Sequence, residues 1–129
     1  MRALLSVANR EGIVPFARDL LALGVEVIAT DGTREALAAE GIEVRSVSEL
    51  TGSDPIAGGQ VKTLHPAIYA GILARRDKPE QLAELEAQKI GLIDIVAVNV
   101  SPFAPQVGAR LVAIDEATEI GRASCRERV

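Results

Sequence analysis

Residues 58–66, Gly-Gly-Gln-Val-Lys-Thr-Leu-His-Pro, bring together the side chains of this sequence that are best suited to chemistry. Lys62, Thr63 and the single histidine, His65, lie within four residues of one another. A lysine donates to a phosphate or stabilises developing negative charge, and a threonine adds a hydroxyl donor. The preceding glycines let the backbone approach a ligand closely. We call this segment loop 3; the alternative interpretation is a surface loop in which His65 caps or packs locally.

Two polar segments lie upstream, and each follows a predicted strand. Loop 1 is residues 6–10 (Ser-Val-Ala-Asn-Arg), and loop 2 is residues 30–33 (Thr-Asp-Gly-Thr), which precede a predicted helix. A hydroxyl-rich turn at a helix N-terminus favours anions, because unpaired N–H groups and the helix dipole point there. Thr and Asp are equally ordinary capping residues, so loop 2 also fits a purely structural cap.

Asn99 lies near the end of a further predicted strand and is followed by Ser101 and Pro102. A side-chain amide at this position has two interpretations. It either contacts the edge of a heterocyclic ligand or satisfies the backbone of a neighbouring loop.

Apolar runs separated by helix-length segments must position these loops. Strands are predicted for residues 3–7, 25–29, 42–47 and 92–100, and helices for residues 13–23, 34–40 and 78–89; residues 48–59 are predicted as a loop with a possible helical turn. This alternation predicts an α/β fold, a doubly wound, mostly parallel sheet with helices on both faces. Ligands of such folds bind outside the carboxyl ends of the strands, where these loops are expected.

Composition excludes several classes of function. The 129 residues fit one domain, and a net charge of −4 argues against a nucleic-acid partner. One cysteine and one histidine exclude a disulfide framework and a multi-histidine metal site. The longest apolar runs, of about six residues, are too short to cross a bilayer, so no membrane partner is expected. With no signal peptide evident, we expect a cytoplasmic protein.

Five segments together resemble a known family. They are S-V-A-N-R-E-G-I-V-P-F-A-R, A-T-D-G-T, G-G-Q-V-K-T-L-H-P, A-G-I-L-A-R-R-D and N-V-S-P-F, in this order. This pattern resembles the N-terminal cyclohydrolase domain of the bifunctional purine biosynthesis proteins, with K-T-L-H-P as its most specific part. The family couples this domain to an aminoimidazole carboxamide ribotide (AICAR) transformylase. The resemblance implies a methylglyoxal-synthase-like fold, and a homodimer for the full-length protein.

The activity implied by the resemblance is the closure of formyl-AICAR ribotide to inosine monophosphate (IMP), with release of water and without metal or organic cofactor. Ring closure gathers negative charge on the formyl oxygen, so Lys62 and Thr63 are the catalytic candidates, with His65 as an organiser of loop 3. The implied substrate-binding residues are Ala8, Asn9 and Arg10 in loop 1, Thr30, Asp31, Gly32 and Thr33 around the phosphate, Gln60 and Val61 over the base, and Val98, Asn99 and Ser101 on its other side. We expect the Asp31 side chain to point away from the phosphate and to cap the helix.

The sequence departs from the family pattern at several functional positions. The family has Ser-Asp-Lys in place of Ala8-Asn9-Arg10, Arg in place of Gln60 and Tyr in place of Ser101. The likeness runs from about residue 2 to residue 119, beyond which an aspartate, paired glycines and a lysine of the family do not follow. We therefore predict an incomplete domain over residues 1–119 with little cyclohydrolase activity, and a non-matching tail over residues 120–129.

Two alternatives share the predicted fold. One is a non-catalytic, nucleotide-binding regulatory module, which the departures at the site would suit. The other is a methylglyoxal synthase, a lyase that would need a catalytic aspartate and several histidines around the phosphate.

Overall fold

A computed structural model describes residues 1–59 and 61–99. Its elements are β1 (Arg2–Ser6), α1 (Ile13–Ala22), β2 (Glu26–Ala29), α2 (Asp31–Ala38), β3 (Arg45–Ser46), α3 (Val47–Thr51), a 3₁₀ turn (Ala57–Gly59), α4 (Pro66–Leu73), α5 (Pro79–Ala87) and β4 (Ile95–Val98). Gln60, Ser101 and the predicted tail lie outside the described residues. Within these residues, no helix is long and apolar enough to cross a membrane.

The four strands form one sheet in the order β3-β2-β1-β4, and every pairing between them is parallel. In the central strand β1, Leu4 is aligned with Ile28 of β2 on one side and with Val96 of β4 on the other. The first three strands are added in one direction and β4 returns to the other side of β1. The predicted doubly wound α/β fold is therefore confirmed.

Alternating residues of the strands supply two separate cores, as the period of a strand requires. Ala3 and Leu5 of β1 point to one face, where they cluster with residues of α1 and α2 such as Ala17 and Leu37. Leu4 points to the opposite face, where its cluster includes Ile68 of α4. Both faces of the sheet are thus covered by helices, as predicted.

Helix α2 begins at Asp31, three residues before the predicted start at residue 34. Gly32 resembled a break in the sequence, but it lies in the first turn of the helix. The carboxylate of Asp31 favours that turn because the helix dipole is positive there. The expectation that Asp31 caps the helix is wrong, since Thr30 occupies the N-cap position.

Strand β3 is also shorter than the predicted strand over residues 42–47. Ser46 ends it by starting α3, because its side chain accepts a hydrogen bond from the Glu49 N–H at 3.1 Å. Glu49 in turn accepts from the Ser46 N–H at 3.4 Å, which completes a capping box. The Ser-x-x-Glu spacing that predicts such a box is present in the sequence.

The last described strand, β4, begins at Ile95 rather than at residue 92. The residues before it pack against the end of α4, where the Ile93 N–H donates to the Gly71 carbonyl at 2.8 Å. A Cβ atom at position 71 would lie 2.6 Å from the Gly91 carbonyl oxygen. Only a glycine at position 71 permits this close approach.

A chain of charged groups joins the amino ends of the four strands. Glu26 pairs with Arg2 at 2.8 Å and with Arg45 at 2.7 Å. Asp94 accepts the backbone N–H of Arg2 at 2.7 Å and also pairs with Arg76. The hydrogen bond from Arg2 lowers the pKa of Glu26, partial burial opposes this, and Arg45 lowers it further. This network lies at the opposite edge of the sheet from loops 1 and 2.

Candidate functional site

The carboxyl ends of β1 and β4 meet where the strand order reverses, which is the position at which doubly wound folds bind ligands. Loop 1 follows β1, and Asn99 follows β4 directly. Loop 2 follows β2, the other neighbour of β1. The sheet therefore brings together these three predicted parts of the site.

The side chain of Asn99 holds the backbone of loop 1. Its Oδ1 atom accepts the N–H of Ala8 at 2.6 Å and the N–H of Asn9 at 3.2 Å. Its Nδ2 atom donates to the carbonyl of Asn9 at 2.7 Å. Of the two interpretations of this amide, the structure shows the one in which it satisfies a loop backbone.

A group of buried hydroxyls ties loop 1 to loop 2. Thr33 Oγ1 accepts the N–H of Val7 at 3.0 Å, and Thr30 Oγ1 donates to Ser6 Oγ at 3.1 Å. Thr33 is 1% exposed and Thr30 is 5% exposed, so their hydroxyls serve the joint between the loops. Sequence reasoning did not single out Ser6, although a hydroxyl at the last residue of a buried strand is the signal that would have found it.

The N-terminus of α2 retains groups that suit an anion. The hydroxyl of the N-cap residue, Thr30, bonds to Ser6, and the Thr30 side chain does not cap the helix. The first N–H groups of a helix have no carbonyl partner within it. The Arg10 guanidinium lies beside this turn, with one nitrogen 3.2 Å from the position of a Cβ atom on Gly32. A guanidinium and helix N–H groups together suit a phosphate, with the Asp31 carboxylate as the opposing charge.

Within loop 1, the backbone of residues 7–9 is held by hydrogen bonds from other segments, whereas the Arg10 side chain is exposed. The Asn9 side chain accepts the N–H of Glu11 at 3.0 Å, a local turn that uses its Oδ1 atom. The N–H groups of Val7, Ala8 and Asn9 are bonded to Thr33 and Asn99, as described above. Arg10, the cation of loop 1, is exposed.

Loop 3 starts from a tight turn. Ile56 and Val61 exchange backbone hydrogen bonds of 2.9 and 3.2 Å across it. Ala57, Gly58 and Gly59 between them all have a left-handed backbone, with φ of 53°, 64° and 86°. Two glycines make this run of positive φ angles accessible, which explains their place in the sequence.

After this turn, Lys62 is half-buried and Thr63 is buried. His65 is the N-cap of α4, and its Nδ1 atom accepts the N–H of Ala67 at 3.1 Å. The interpretation of His65 as a local organiser of loop 3 is therefore confirmed. Ile68, fully buried in the sheet core, anchors the first turn of α4 and with it the end of loop 3.

Val98, the last residue of β4, is half-buried and aligned with Ser6 of β1, so it lies beside loop 1. Gln60 and Ser101 lie outside the described residues. Within residues 1–59 and 61–99, no group of three His, Cys, Asp or Glu side chains is placed to hold a metal ion.

Comparisons with known proteins find similar sequences and a similar fold. The family model of the MGS-like domain matches residues 12–122. The chain is 51% identical over 118 residues to the bifunctional purine biosynthesis protein PurH of Staphylococcus haemolyticus, covering 92% of this chain and 24% of that protein. It is 48% identical over 122 residues to PurH of Persephonella marina, covering 93% of this chain and 24% of that protein. The chain thus spans about a quarter of the length of these relatives.

A solved structure described as "Crystal structure of ForH" is similar with a TM-score of 0.78 and 35% sequence identity. The match covers 95% of this chain and 63% of that one. The arrangement of strands and helices described above is thus shared with an experimentally determined fold.

Proposed function

This chain belongs to the MGS-like domain family, and we propose that it is the part of a bifunctional purine biosynthesis protein that binds a purine nucleoside monophosphate at the site where formyl-AICAR ribotide is closed to IMP, a reaction for which we expect little turnover by this chain. The observation that carries the proposal is the position of Arg10 beside the uncapped N-terminus of α2. This pair supplies a phosphate site at the carboxyl edge of the sheet, beside the ends of β1 and β2. The relatives named above, which are purine biosynthesis proteins, support the same substrate class.

In the proposed reaction, the carboxamide nitrogen of the substrate attacks its own formyl carbon. A C–N bond forms and the carbonyl electron pair moves to the formyl oxygen. The carboxamide nitrogen and the formamido nitrogen each give up one proton, the oxygen leaves as water with both, and the C=N bond forms between the former formyl carbon and the formamido nitrogen. The reacting atoms belong to one molecule, so holding one conformer supplies about 7–11 kcal/mol of the barrier. Binding the phosphate at one end and the base at the other is how the site would select that conformer.

Lys62 and Thr63 are the proposed catalytic residues of loop 3. A donor held at the oxygen that gains negative charge is worth about 3–4 kcal/mol. Lys62 is half-buried, so a charge interaction there is screened less than on an open surface. We propose Val61 over the base and Val98 on its other side, and we assign the phosphate to the N–H groups of loop 2 together with Arg10.

Calorimetric titration of the chain with IMP, uridine monophosphate and dihydroxyacetone phosphate tests the binding part of the proposal. We expect binding of IMP in preference to the other two. Stronger binding of uridine monophosphate would instead indicate a regulatory module, and conversion of dihydroxyacetone phosphate would indicate a methylglyoxal synthase. An absorbance assay of IMP formation from formyl-AICAR ribotide tests the reaction separately. We expect binding with little turnover, and a rate equal to that of a full-length relative would contradict the expectation of low activity.

A further inference from the structure

We propose that Asn99 is a positioning residue that sets the affinity of the site for phosphate by holding loop 1, and that it does not recognise the purine base. The inference rests on the proposed function, because it concerns how the same site holds a nucleoside monophosphate. The position of Asn99 directly after β4 suggests recognition of the base, and the proposal assigns it a different role.

The number of hydrogen bonds that the Asn99 amide can form is the first argument for this role. An amide oxygen has two lone pairs, and Asn99 Oδ1 accepts two N–H groups, those of Ala8 and Asn9. One of the two N–H groups on Nδ2 is bonded to the Asn9 carbonyl at 2.7 Å. In the bidentate contact by which an asparagine reads a base edge, its oxygen and its nitrogen act together. Because the oxygen is saturated, this side chain cannot form such a pair without releasing loop 1.

The second step is the effect of these bonds on loop 1. Thr33 holds the N–H of Val7 from the side of α2, and Asn99 holds the next two N–H groups from the side of β4. Three consecutive residues are thus fixed immediately before Arg10. A loop that is ordered before the ligand arrives loses less conformational freedom on binding, which raises affinity. The guanidinium of Arg10 is the group that this order places beside Gly32.

A comparison of two ligands separates positioning from base recognition. The unmodified chain and Asn99→Ala are titrated with IMP and with ribose 5-phosphate, which has the phosphate and sugar but no base. If Asn99 acts through loop 1, the Kd for both ligands rises by about tenfold, the size expected when a charge-assisted contact is misplaced. The ratio of the two Kd values then stays unchanged.

Double substitution tests whether the effect passes through Arg10. Arg10→Ala removes the guanidinium, and Arg10→Ala with Asn99→Ala should bind ribose 5-phosphate no more weakly than Arg10→Ala alone, because residues that act as one unit are not additive. Gln81→Ala is the matched control, since Gln81 also uses a side-chain amide to accept a backbone N–H, that of Arg75 at 2.9 Å. The loop that Gln81 holds lies just before α5, between α4 and α5 and away from the site. The Kd of Gln81→Ala for either ligand should therefore equal that of the unmodified chain.

Exchange of backbone amide protons gives a readout that needs no ligand. In the unmodified chain the N–H groups of Ala8 and Asn9 should exchange slowly although both residues are exposed. Asn99→Ala should speed their exchange. Asn99→Asp retains the accepting oxygen and should keep it slow, which provides a second variant should Asn99→Ala fail to fold.

Three results would overturn the inference. Loss of IMP affinity with unchanged ribose 5-phosphate affinity in Asn99→Ala would show that the amide reads the base, while leaving the proposed function intact. We call the Thr33 and Asn99 hydrogen bonds to the backbone of residues 7–9 the clamp on loop 1. Fast exchange of the Ala8 and Asn9 amides in the unmodified chain would show that the clamp is not formed. An unmodified chain that binds neither ligand would overturn the proposed function itself, and the positioning role with it.

Discussion

The Arg10 guanidinium and Gly32 are in close approach, with a guanidinium nitrogen 3.2 Å from the point where a Cβ atom on Gly32 would lie. Gly32→Ala would therefore displace the end of the Arg10 side chain by a few tenths of an ångström. We expect the affinity for IMP to fall by roughly threefold, since charge-assisted bonds depend on geometry. Alanine also favours helix α2, by at most about 1 kcal/mol relative to glycine. Calorimetry and urea unfolding should thus move in opposite directions, and an unchanged affinity would contradict the phosphate site.

Lys62 supplies the prediction for loop 3. Lys62→Ala should lower the affinity for IMP by about tenfold, the loss expected for one contact between a cation and an anion, with little change in unfolding temperature. Lys78→Ala, a substitution of an exposed lysine at the start of α5, is the control for charge alone. Equal binding by Lys62→Ala and the unmodified chain, at both low and moderate salt, would remove Lys62 from the site.

His65 gives a prediction about stability rather than chemistry. His65→Ala removes the acceptor for the Ala67 N–H and should cost about 1 kcal/mol of unfolding free energy, as loss of an N-cap does. His65→Asn supplies another good capping oxygen and should retain both stability and IMP binding. A normally folded His65→Asn variant that no longer binds IMP would show that the imidazole contacts the ligand.

Glu26 gives a prediction about pH. Its pKa lies below the ordinary value of 4.5 in the folded protein, chiefly because Arg2 donates to it. A carboxyl group with a lowered folded pKa stabilises the protein above its unfolded pKa, and this stabilisation is lost as the pH falls through the folded value. Glu26→Gln should therefore reduce stability at pH 7 by about 0.2–1 kcal/mol, the range for solvent-screened ion pairs.

Below pH 4.5 the unfolding free energies of Glu26→Gln and the unmodified chain should converge. Glu84→Gln, at an exposed position of α5, removes the same charge away from the network and serves as the control. A difference between Glu26→Gln and the unmodified chain that persisted or grew at lower pH would contradict the stabilising role of the ionised carboxylate.

The fold could be predicted from the sequence because its signals are local and mutually consistent. The apolar run of β1 and the apolar spacing of α1 each indicate one element, and the order of elements indicates a parallel sheet. The predicted boundaries that differ from the structure are those at which two features of the sequence favour different elements. Ser46 fits a strand by its neighbours, but its capping box with Glu49 started a helix there instead. At α2, the helix began before Gly32 because a first turn tolerates glycine.

For the candidate site, the sequence predicts which segments share one edge of the sheet, but not how each side chain is used. The sequence indicates that Asn99, Thr33 and Arg10 approach the same edge of the sheet. It does not indicate that the side chains of Asn99 and Thr33 accept backbone N–H groups of loop 1, while Arg10 is exposed. That distinction depends on side-chain distances between segments that lie about 90 residues apart, such as Asn9 and Asn99, and no local pattern encodes it.

The clamp on loop 1 contacts main-chain atoms alone, and it is therefore indifferent to which side chains the loop carries. Ala8 and Asn9 stand where the resemblance places serine and aspartate, and we expect the same path of the chain with either pair because Asn99 bonds only to their main-chain atoms. We therefore expect substitutions at positions 8 and 9 to change ligand preference while the proposed phosphate anchor, Arg10, stays in place. We expect substitutions at position 99 to be tolerated less well, because the Asn99 amide forms three hydrogen bonds to the backbone of loop 1.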